Sequence, residues 1–445
     1  MSDTIFAPDY RARPFWWDAF EPPHSGVDTL PARVDVLVVG GGYAGVCCAL
    51  TLAQKGVQVL VLESGALGQG ASTRSGGQVT GGVNVQKKAL HAAGASAPER
   101  QARMVGQLRD TADAMTYIET LIERHGIDCG WHKTGRVTGL WTPRHFADWQ
   151  ARLPQLNSIT GADARMLDEE GVRTEVGTRI YAGAALIGRA GHLHPAQLYG
   201  GMLTAARQAG ANIQSDTPVT RITRMADHYL VETARAKVRA DQVVIATNGY
   251  TSDLTPELRR GIIPITSQII ATEELSADLV HSILPTNRAV SETRRVVNYY
   301  RLSPDGRRLV FGGRARFVPT SEATTARLLY RAMIKRFPQL KGTRITHSWG
   351  GNVAMTLDHT PHIGSAAGLH FALGCNGSGV AMMSYLGHSV ARKIIESPSG
   401  PINSFDTGEL ARHPLYFGRP WFLFGIGSWY QFRDAIDHWR AQRKT

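Results

Sequence analysis

The stretch from Val34 to Glu63 constrains what this chain can fold into more than any other. Residues 34–39 read Val-Asp-Val-Leu-Val-Val, a short apolar run rich in β-branched residues that suits a buried strand. Gly40-Gly41-Gly42-Tyr43-Ala44-Gly45 follows at once, then an apolar run over 46–55 that predicts a helix stopped by Gly56, then a second β-branched run over 57–62 ending in Glu63. Strand, glycine turn, helix, strand and acid make a βαβ unit with the spacing of a dinucleotide cradle. Gly40 permits the tight turn, Gly42 leaves no Cβ between the backbone and a pyrophosphate, and Gly45 lets the helix pack closely on the sheet. The helix that opens at Tyr43 and Ala44 presents unpaired N–H groups to phosphate charge. Glu63, about 20 residues beyond the turn, is placed with its neighbour Ser64 to take hydrogen bonds from an adenosine ribose, which disfavours a 2′-phosphate and hence NADP.

Composition narrows the setting. Hydrophobic residues make up 43% and charged residues 19%, ordinary globular usage that excludes a disordered chain or a fibre. The 49 Lys and Arg against 37 Asp and Glu leave a net charge of +12, compatible with an acidic substrate, a cofactor phosphate, an anionic membrane or nucleic acid. The basic residues are scattered, with no block longer than Arg259-Arg260 or Arg307-Arg308, so no nucleic acid partner is expected. Four cysteines (Cys47, Cys48, Cys129, Cys375) without a C-x-x-C pair form neither a disulfide framework nor a metal site, and no metal is expected. The amino terminus lacks an apolar leader, and no stretch approaches the roughly 20 apolar residues of a membrane span. A reduced, cytoplasmic protein is the expectation.

Further along, helical spacing of apolar residues predicts helices over 102–125, ending at Gly126, and over 198–208, ending at Gly210. Residues 211–213 and 241–246 read as strands feeding the first sheet, which makes the dinucleotide domain discontinuous. Between those pieces the pattern changes to alternation. Residues 294–302 and 308–312 predict strands joined through Ser303-Pro304-Asp305-Gly306, a turn sequence that implies an antiparallel sheet. A last apolar helix over 380–395 follows a glycine-rich turn, and an aromatic-rich tail follows Pro401. The fold class is therefore α/β joined to α+β: a discontinuous Rossmann-type domain with an antiparallel-sheet substrate domain.

A second glycine-rich stretch, Gly68-Gln69-Gly70-Ala71-Ser72-Thr73-Arg74-Ser75-Gly76-Gly77-Gln78, is too small-featured for a strand or helix and suits a backbone lying against a large flat ligand. A nicotinamide enzyme has no evident use for it; a flavin enzyme has. The residues from Gly40 to Gly45, Glu63, this loop, Gly191-His192-Leu193-His194-Pro195, Ala246-Thr247-Asn248-Gly249 and the turn from Gly374 to Gly379 resemble, in that order, the D-amino-acid oxidase and glycine oxidase superfamily of FAD-dependent oxidoreductases. Within it, Trp16-Trp17, Ile270-Ala271-Thr272-Glu273, Asn298-Tyr299-Tyr300-Arg301, Phe311-Gly312-Gly313-Arg314 and Gly418-Arg419-Pro420-Trp421 look like the γ-glutamylputrescine oxidase-like group. The resemblance spans nearly the whole chain.

It implies FAD-binding stretches at 30–85, 190–262 and 345–400, a substrate domain at 86–189 and 263–344, an amino-terminal arm at 1–29 and a tail at 401–445. It implies that Val219 meets adenine through its backbone, and that Ser72, Arg74, Ser75, Gly76, Gly77 and Gln78 flank pyrophosphate and flavin beside Ala246, Thr247 and Asn248. Asn376, Gly377, Ser378, Gly379 and Val380 would offer N–H groups to the flavin N1–C2=O edge, where reduced flavin carries negative charge that a helix N-terminus stabilises. The loop over 68–78 holds no His, and no Cys lies between Trp349 and Gly374, so non-covalent FAD is expected, although Cys375 falls near the flavin edge.

Amino-acid oxidases of the superfamily carry a carboxylate-binding Arg shortly after a Trp-x-Gly stretch; here that stretch reads Trp349-Gly350-Gly351-Asn352-Val353-Ala354. The missing Arg points to a small-molecule amine, polyamine-like, γ-glutamylated or secondary, whose C–N bond is oxidised to an imine that water splits. The alternatives are a cyclic or N-substituted amino acid and, from another class, an RNA substrate such as a tRNA-modifying branch of the superfamily uses. Tyr300, Arg301, Trp349 and His359 are the candidate catalytic residues. Tyr299 is a further aromatic wall, Arg314 a further holder of a remote carboxylate, and His347 and His362 further assisting groups. Relatives carry an oxygen-activating Lys where this chain places Val310, which leaves O2 or another electron acceptor, a quinone or carrier protein, as the oxidant.

Overall fold

The β-branched run at the start of the chain becomes the middle of a parallel sheet. Arg33–Val39 lies between Val59–Leu62 and Lys237–Ile245, parallel to both, and Asn212–Gln214 and Leu369–Leu373 extend the sheet on either side. The hairpin strands Val219–Arg224 and Tyr229–Thr233 continue from Lys237–Ile245 in antiparallel sense. The computed structural model describes residues 5–26, 29–80, 96–313 and 321–442. Val36 to Val39 and Leu60 to Leu62 are buried, as strands covered on both faces must be. The helix Tyr43–Ala53 is buried along its whole length, packed against Gly379–Glu396 and Pro195–Gln208. Contact with Gly379–Glu396 is so close that a Cβ on Gly387 would collide with the Ala44 carbonyl.

The second sheet has nine strands in the order Phe6–Arg11, Ile345–Met355, Ile263–Thr272, Leu309–Gly313, Asn298–Leu302, Ala289–Glu292, Arg136–Gly139, Ala184–Ile187 and Ala164–Leu167. It is antiparallel except where Phe6–Arg11 joins Ile345–Met355 and where Ala289–Glu292 joins Arg136–Gly139. Two sequence expectations are corrected here. The stretch 294–302 is not one strand: its strand begins at Asn298, because buried Asp434 of the tail helix Leu423–Gln442 accepts the Arg295 and Val296 N–H groups (3.2 and 3.1 Å) that a ladder would use. Ile345–Met355, assigned to an FAD-binding stretch, pairs instead with Ile263–Thr272 in the nine-stranded sheet, and the arm over 1–29 adds that sheet's edge strand.

Alternation along these strands sorts side chains onto two faces. Register places Thr138 opposite Ser291, Ser291 opposite Tyr299, Tyr299 opposite Gly312, Gly312 opposite Ile269 and Ile269 opposite Trp349, all on one face. Val137, Val290, Tyr300, Phe311 and Ile270 point the other way into a core closed by Leu329 and Met333 of the helix Glu322–Arg336. In that core Arg336 and Glu292, both fully buried, form a two-pronged ion pair whose carboxylate also accepts from Tyr181. No helix among the described residues is long and apolar enough to cross a membrane.

Gly387→Ala is expected to force the two helices apart and to cost about 1–3 kcal/mol, seen as a lower midpoint in a thermal melt. A variant that melts with the wild type would show that the helices have room to separate.

Candidate active site

The glycine turns of the parallel sheet face the Thr138–Tyr299–Ile269 side of the large sheet across a cavity of about 1290 Å³. That exceeds the roughly 300–1,000 Å³ that encloses a drug-sized ligand, leaving space for a dinucleotide and a second molecule. Its lining begins at Gly40, Gly42, Tyr43 and Ala44. Gly40 has φ +104°, and a Cβ there would lie 2.9 Å from the Ala246 carbonyl oxygen; a Cβ on Gly42 would lie 3.0 Å from Ser72 Oγ, itself bonded to the Tyr43 N–H. Gly45 stands behind the lining, where a Cβ would strike the Gly40 carbonyl, so its part is to let helix meet strand. Glu63 is held at the end of Val59–Leu62: its Oε2 accepts the Gly41 N–H (2.7 Å) and its Oε1 accepts the N–H and hydroxyl of Ser64 (2.8 and 3.0 Å).

The loop over 68–78 crosses the cavity, and its carbonyls are fixed from behind by side chains of the large sheet and the arm. Arg301 donates through Nε to Gly76 O (2.7 Å), through Nη2 to Leu193 O (2.6 Å) and through Nη1 to Leu302 O (3.0 Å), with the Trp16 ring 4.8 Å away. Trp349 Nε1 donates to Arg74 O (2.8 Å) and Trp16 Nε1 to Ser75 O (2.9 Å). Gln78 Nε2 reaches Val290 O and Tyr300 O (3.1 and 3.3 Å). Arg74 donates to Gln69 O (2.6 Å) and Gly350 O (3.1 Å) and covers the Trp17 ring.

These contacts redistribute the four candidate catalytic residues. His359 lines the cavity, but Tyr300, Arg301 and Trp349 do not. Tyr300 points to the opposite face, stacked on Phe311 with its hydroxyl 2.7 Å from that of Tyr181; one register step separates it from Tyr299, which does line the cavity. Arg301 and Trp349 lie on the cavity side but are fully buried behind the loop they tie down. Burial without a carboxylate partner lowers the Arg301 pKa to about 9. His347 sits beside Asp18 of the arm and His362 beside Asp358 and Thr407, both away from the lining. Arg314 lies outside the described residues.

The remaining candidates, Ser64, Ser72, Arg74, Ser75, Gly76, Gly77, Gln78, Val219, Ala246, Thr247, Asn248, Asn376, Gly377, Ser378, Gly379 and Val380, all border the same cavity. Asn248, at φ +44°, joins two of its turns by accepting the Gly374 and Cys375 N–H groups on Oδ1 (3.0 and 3.3 Å). The helix Gly379–Glu396 starts at this wall without a side-chain cap, a polarity that favours negative charge. A backbone cradle closed to any Cβ, an acid at the second strand's end, an open helix N-terminus and the cavity's size together fit a dinucleotide with a large flat ring. Sequence reasoning missed several lining residues: Tyr250, one position past a motif it used; Glu322, whose carboxyl is pushed up by burial; and Arg136, Thr138 and Ser291 on the large sheet. Only the alternation of Gly135-Arg136-Val137-Thr138-Gly139 hinted at the last group.

Residues 35–393 match the family model described as DAO, FAD dependent oxidoreductase. The chain belongs to this family and is an FAD-dependent oxidoreductase, with the Rossmann-type and substrate-domain architecture that its sequence implied. It is 33% identical over 418 residues to the gamma-glutamylputrescine oxidoreductase of Escherichia coli (strain K12), covering 92% of this chain and 95% of that protein. It is 24% identical over 377 residues to the glycine oxidase of Geobacillus kaustophilus, covering 81% and 92%. Among solved structures it shares its fold with the L-proline dehydrogenase from P. horikoshii (TM-score 0.71, 21% identity, 86% of this chain and 100% of that one). The glycine oxidase from Geobacillus kaustophilus is similar to it to the same degree (TM-score 0.70, 22% identity, 86% and 100%).

Arg301→Met leaves the Gly76 and Leu193 carbonyls without their donor and is expected to destabilise the protein by about 2–6 kcal/mol, at roughly 1–3 kcal/mol for each buried acceptor. Chemical denaturation measures it. Unchanged stability would mean that the loop is held by other contacts.

Proposed function

We propose that this chain oxidises the C–N bond of a small-molecule amine, polyamine-like, γ-glutamylated or secondary, to an imine that water then hydrolyses to an aldehyde and an amine. FAD, when bound, would supply the hydride acceptor, and Tyr299 and the wall over 350–353 line the part of the cavity that would hold its ring. The observation that carries the reading is the chemistry of that wall. It presents Gly350, Gly351, Asn352 and Val353, and the nearby cation Arg74 already donates to Gln69 O and Gly350 O. An α-carboxylate beside the reacting carbon finds no free guanidinium there among the described residues, whereas a plain amine needs none. The E. coli relative named for γ-glutamylputrescine supports the same class of substrate.

The chain's own residues contribute position and field. Gly40, Gly42, Tyr43 and Ala44 bring backbone to the pyrophosphate; Glu63 and Ser64 take the ribose; Val219 borders the adenine; and Asn376 to Val380 set a helix N-terminus at the flavin edge. A water-poor wall of Ile269, Tyr299 and Val353 lowers the pKa of a bound ammonium, freeing the lone pair that assists hydride loss. The flavin is held without a covalent bond: the loop over 68–78 has no His, and buried Cys375 turns its thiol to the Ala354 carbonyl (3.8 Å). Val310 packs in the apolar cluster of Trp16, Ile269 and Trp349, so no lysine assists oxygen from that strand.

Two measurements test the reading. Anaerobic titration of the holoenzyme with diamines, γ-glutamylated diamines, secondary amines and α-amino acids should bleach the flavin fastest with the amines; preference for simple α-amino acids would sink it, and admitting air afterwards reports whether O2 is the acceptor. Glu63→Ala should weaken FAD binding roughly 10- to 100-fold, the loss of hydrogen bonds to a charged acceptor, read by flavin retention on desalting. Full retention would displace the ribose from Glu63.

A further inference from the structure

The cavity extends beyond the glycine loop to the far strands of the large sheet, and there it meets a buried cation with no counter-charge. Arg136, 5% exposed, lines this lobe. Its Nε donates to Ser291 Oγ at 3.1 Å and its Nη2 to the same oxygen, and no carboxylate lies within ion-pairing distance among the described residues. The contrast with the other fully buried arginines is direct: Arg336 has Glu292, and Arg301 has three carbonyls. Burial alone lowers the Arg136 pKa, to about 10, so it stays cationic at neutral pH. A buried charge without a partner is costly, and one that opens onto a ligand cavity is satisfied when the ligand brings the opposite charge.

A second group on the same face has the same deficit. Thr138, two residues along the strand from Arg136 and directly opposite Ser291, lines the lobe with a buried hydroxyl that has no hydrogen-bond partner. We propose that Arg136, with Thr138 and Ser291 beside it, binds a carboxylate of the substrate at the end remote from the oxidised C–N bond. The guanidinium fork matches the two oxygens, and the threonine hydroxyl adds a third donor. The site lies one residue from where Gln78 docks on Val290, so a substrate with an amine at one end and a carboxylate at the other spans from the flavin to this strand. The inference rests on the amine-oxidation reading and refines it: among amines, those carrying a distant carboxylate, as a γ-glutamylated diamine does, are preferred.

The test uses holoenzyme, wild type and Arg136→Met, with two readouts. Calorimetric titration with glutarate, and with glutaramide as the uncharged control, should show saturable glutarate binding that weakens roughly 10- to 100-fold in the variant, the loss of a charge-assisted pair. Thermal melting without ligand should place Arg136→Met no lower than wild type, because it removes an unpaired buried charge. In flavin bleaching, the wild-type preference for γ-glutamylputrescine over its carboxylate-free N-butanoyl analogue should collapse in the variant. Glutarate binding that ignores the substitution, or a variant that melts several degrees lower, would make Arg136 a structural residue and overturn the proposal. If glutarate binding depends on Arg136 but no amine bleaches the flavin, the carboxylate site stands and the amine reading falls.

Discussion

The guanidinium of Arg301 is the contact on which the site's geometry depends. It reaches from a strand of the large sheet to the carbonyls of Gly76 and Leu193, and so fixes a glycine-rich loop from behind. Trp16 and Trp349 reinforce it by donating to the neighbouring carbonyls of Ser75 and Arg74. A glycine-rich segment loses much conformational freedom on ordering. Hydrogen bonds from buried donors offset that cost here and leave the opposite side of the loop facing the cavity.

How far the sequence alone discloses this arrangement depends on whether the cause is local. The βαβ unit is legible because its glycines act within a few residues: Gly45 must admit the Gly40 carbonyl, and Gly40 must take a positive φ. That the loop over 68–78 borders a ligand cavity is legible for the same reason. Strand periodicity says that Tyr299 and Tyr300 face apart but not which of them faces the cavity; Tyr299 does, and Tyr300 packs in the core under the helix Glu322–Arg336, far along the chain. The sequence makes Arg301 a candidate catalytic residue, but its partners at Gly76 and Leu193 are more than a hundred residues away, and no pattern near Arg301 distinguishes a carbonyl clamp from a substrate ligand. Arg136 carried still less signal, since an arginine in a short alternating strand ordinarily faces water.

The three buried arginines show how context assigns work to one residue type. Arg336 meets a carboxylate and closes a core; Arg301 meets carbonyls and holds a loop; Arg136 meets a single hydroxyl and the cavity. The net charge of +12 says nothing about these differences, because the energetic consequence of a cation lies in its partners. The surplus of basic residues and the buried, cavity-lining place of Arg136 are thus separate matters.

The order of strands also bears on how the enzyme is made. The cradle's first half, Arg33–Val39 to Glu63, leaves the ribosome early, whereas Lys237–Ile245 follows the first part of the substrate domain, and Leu369–Leu373 and the helix Gly379–Glu396 follow all of it. Until Asn212–Gln214 and Lys237–Ile245 emerge, the early segment is an apolar unit with unpaired strand edges. The cradle is complete as a structure only once the helix Gly379–Glu396, near the end of the chain, has been made.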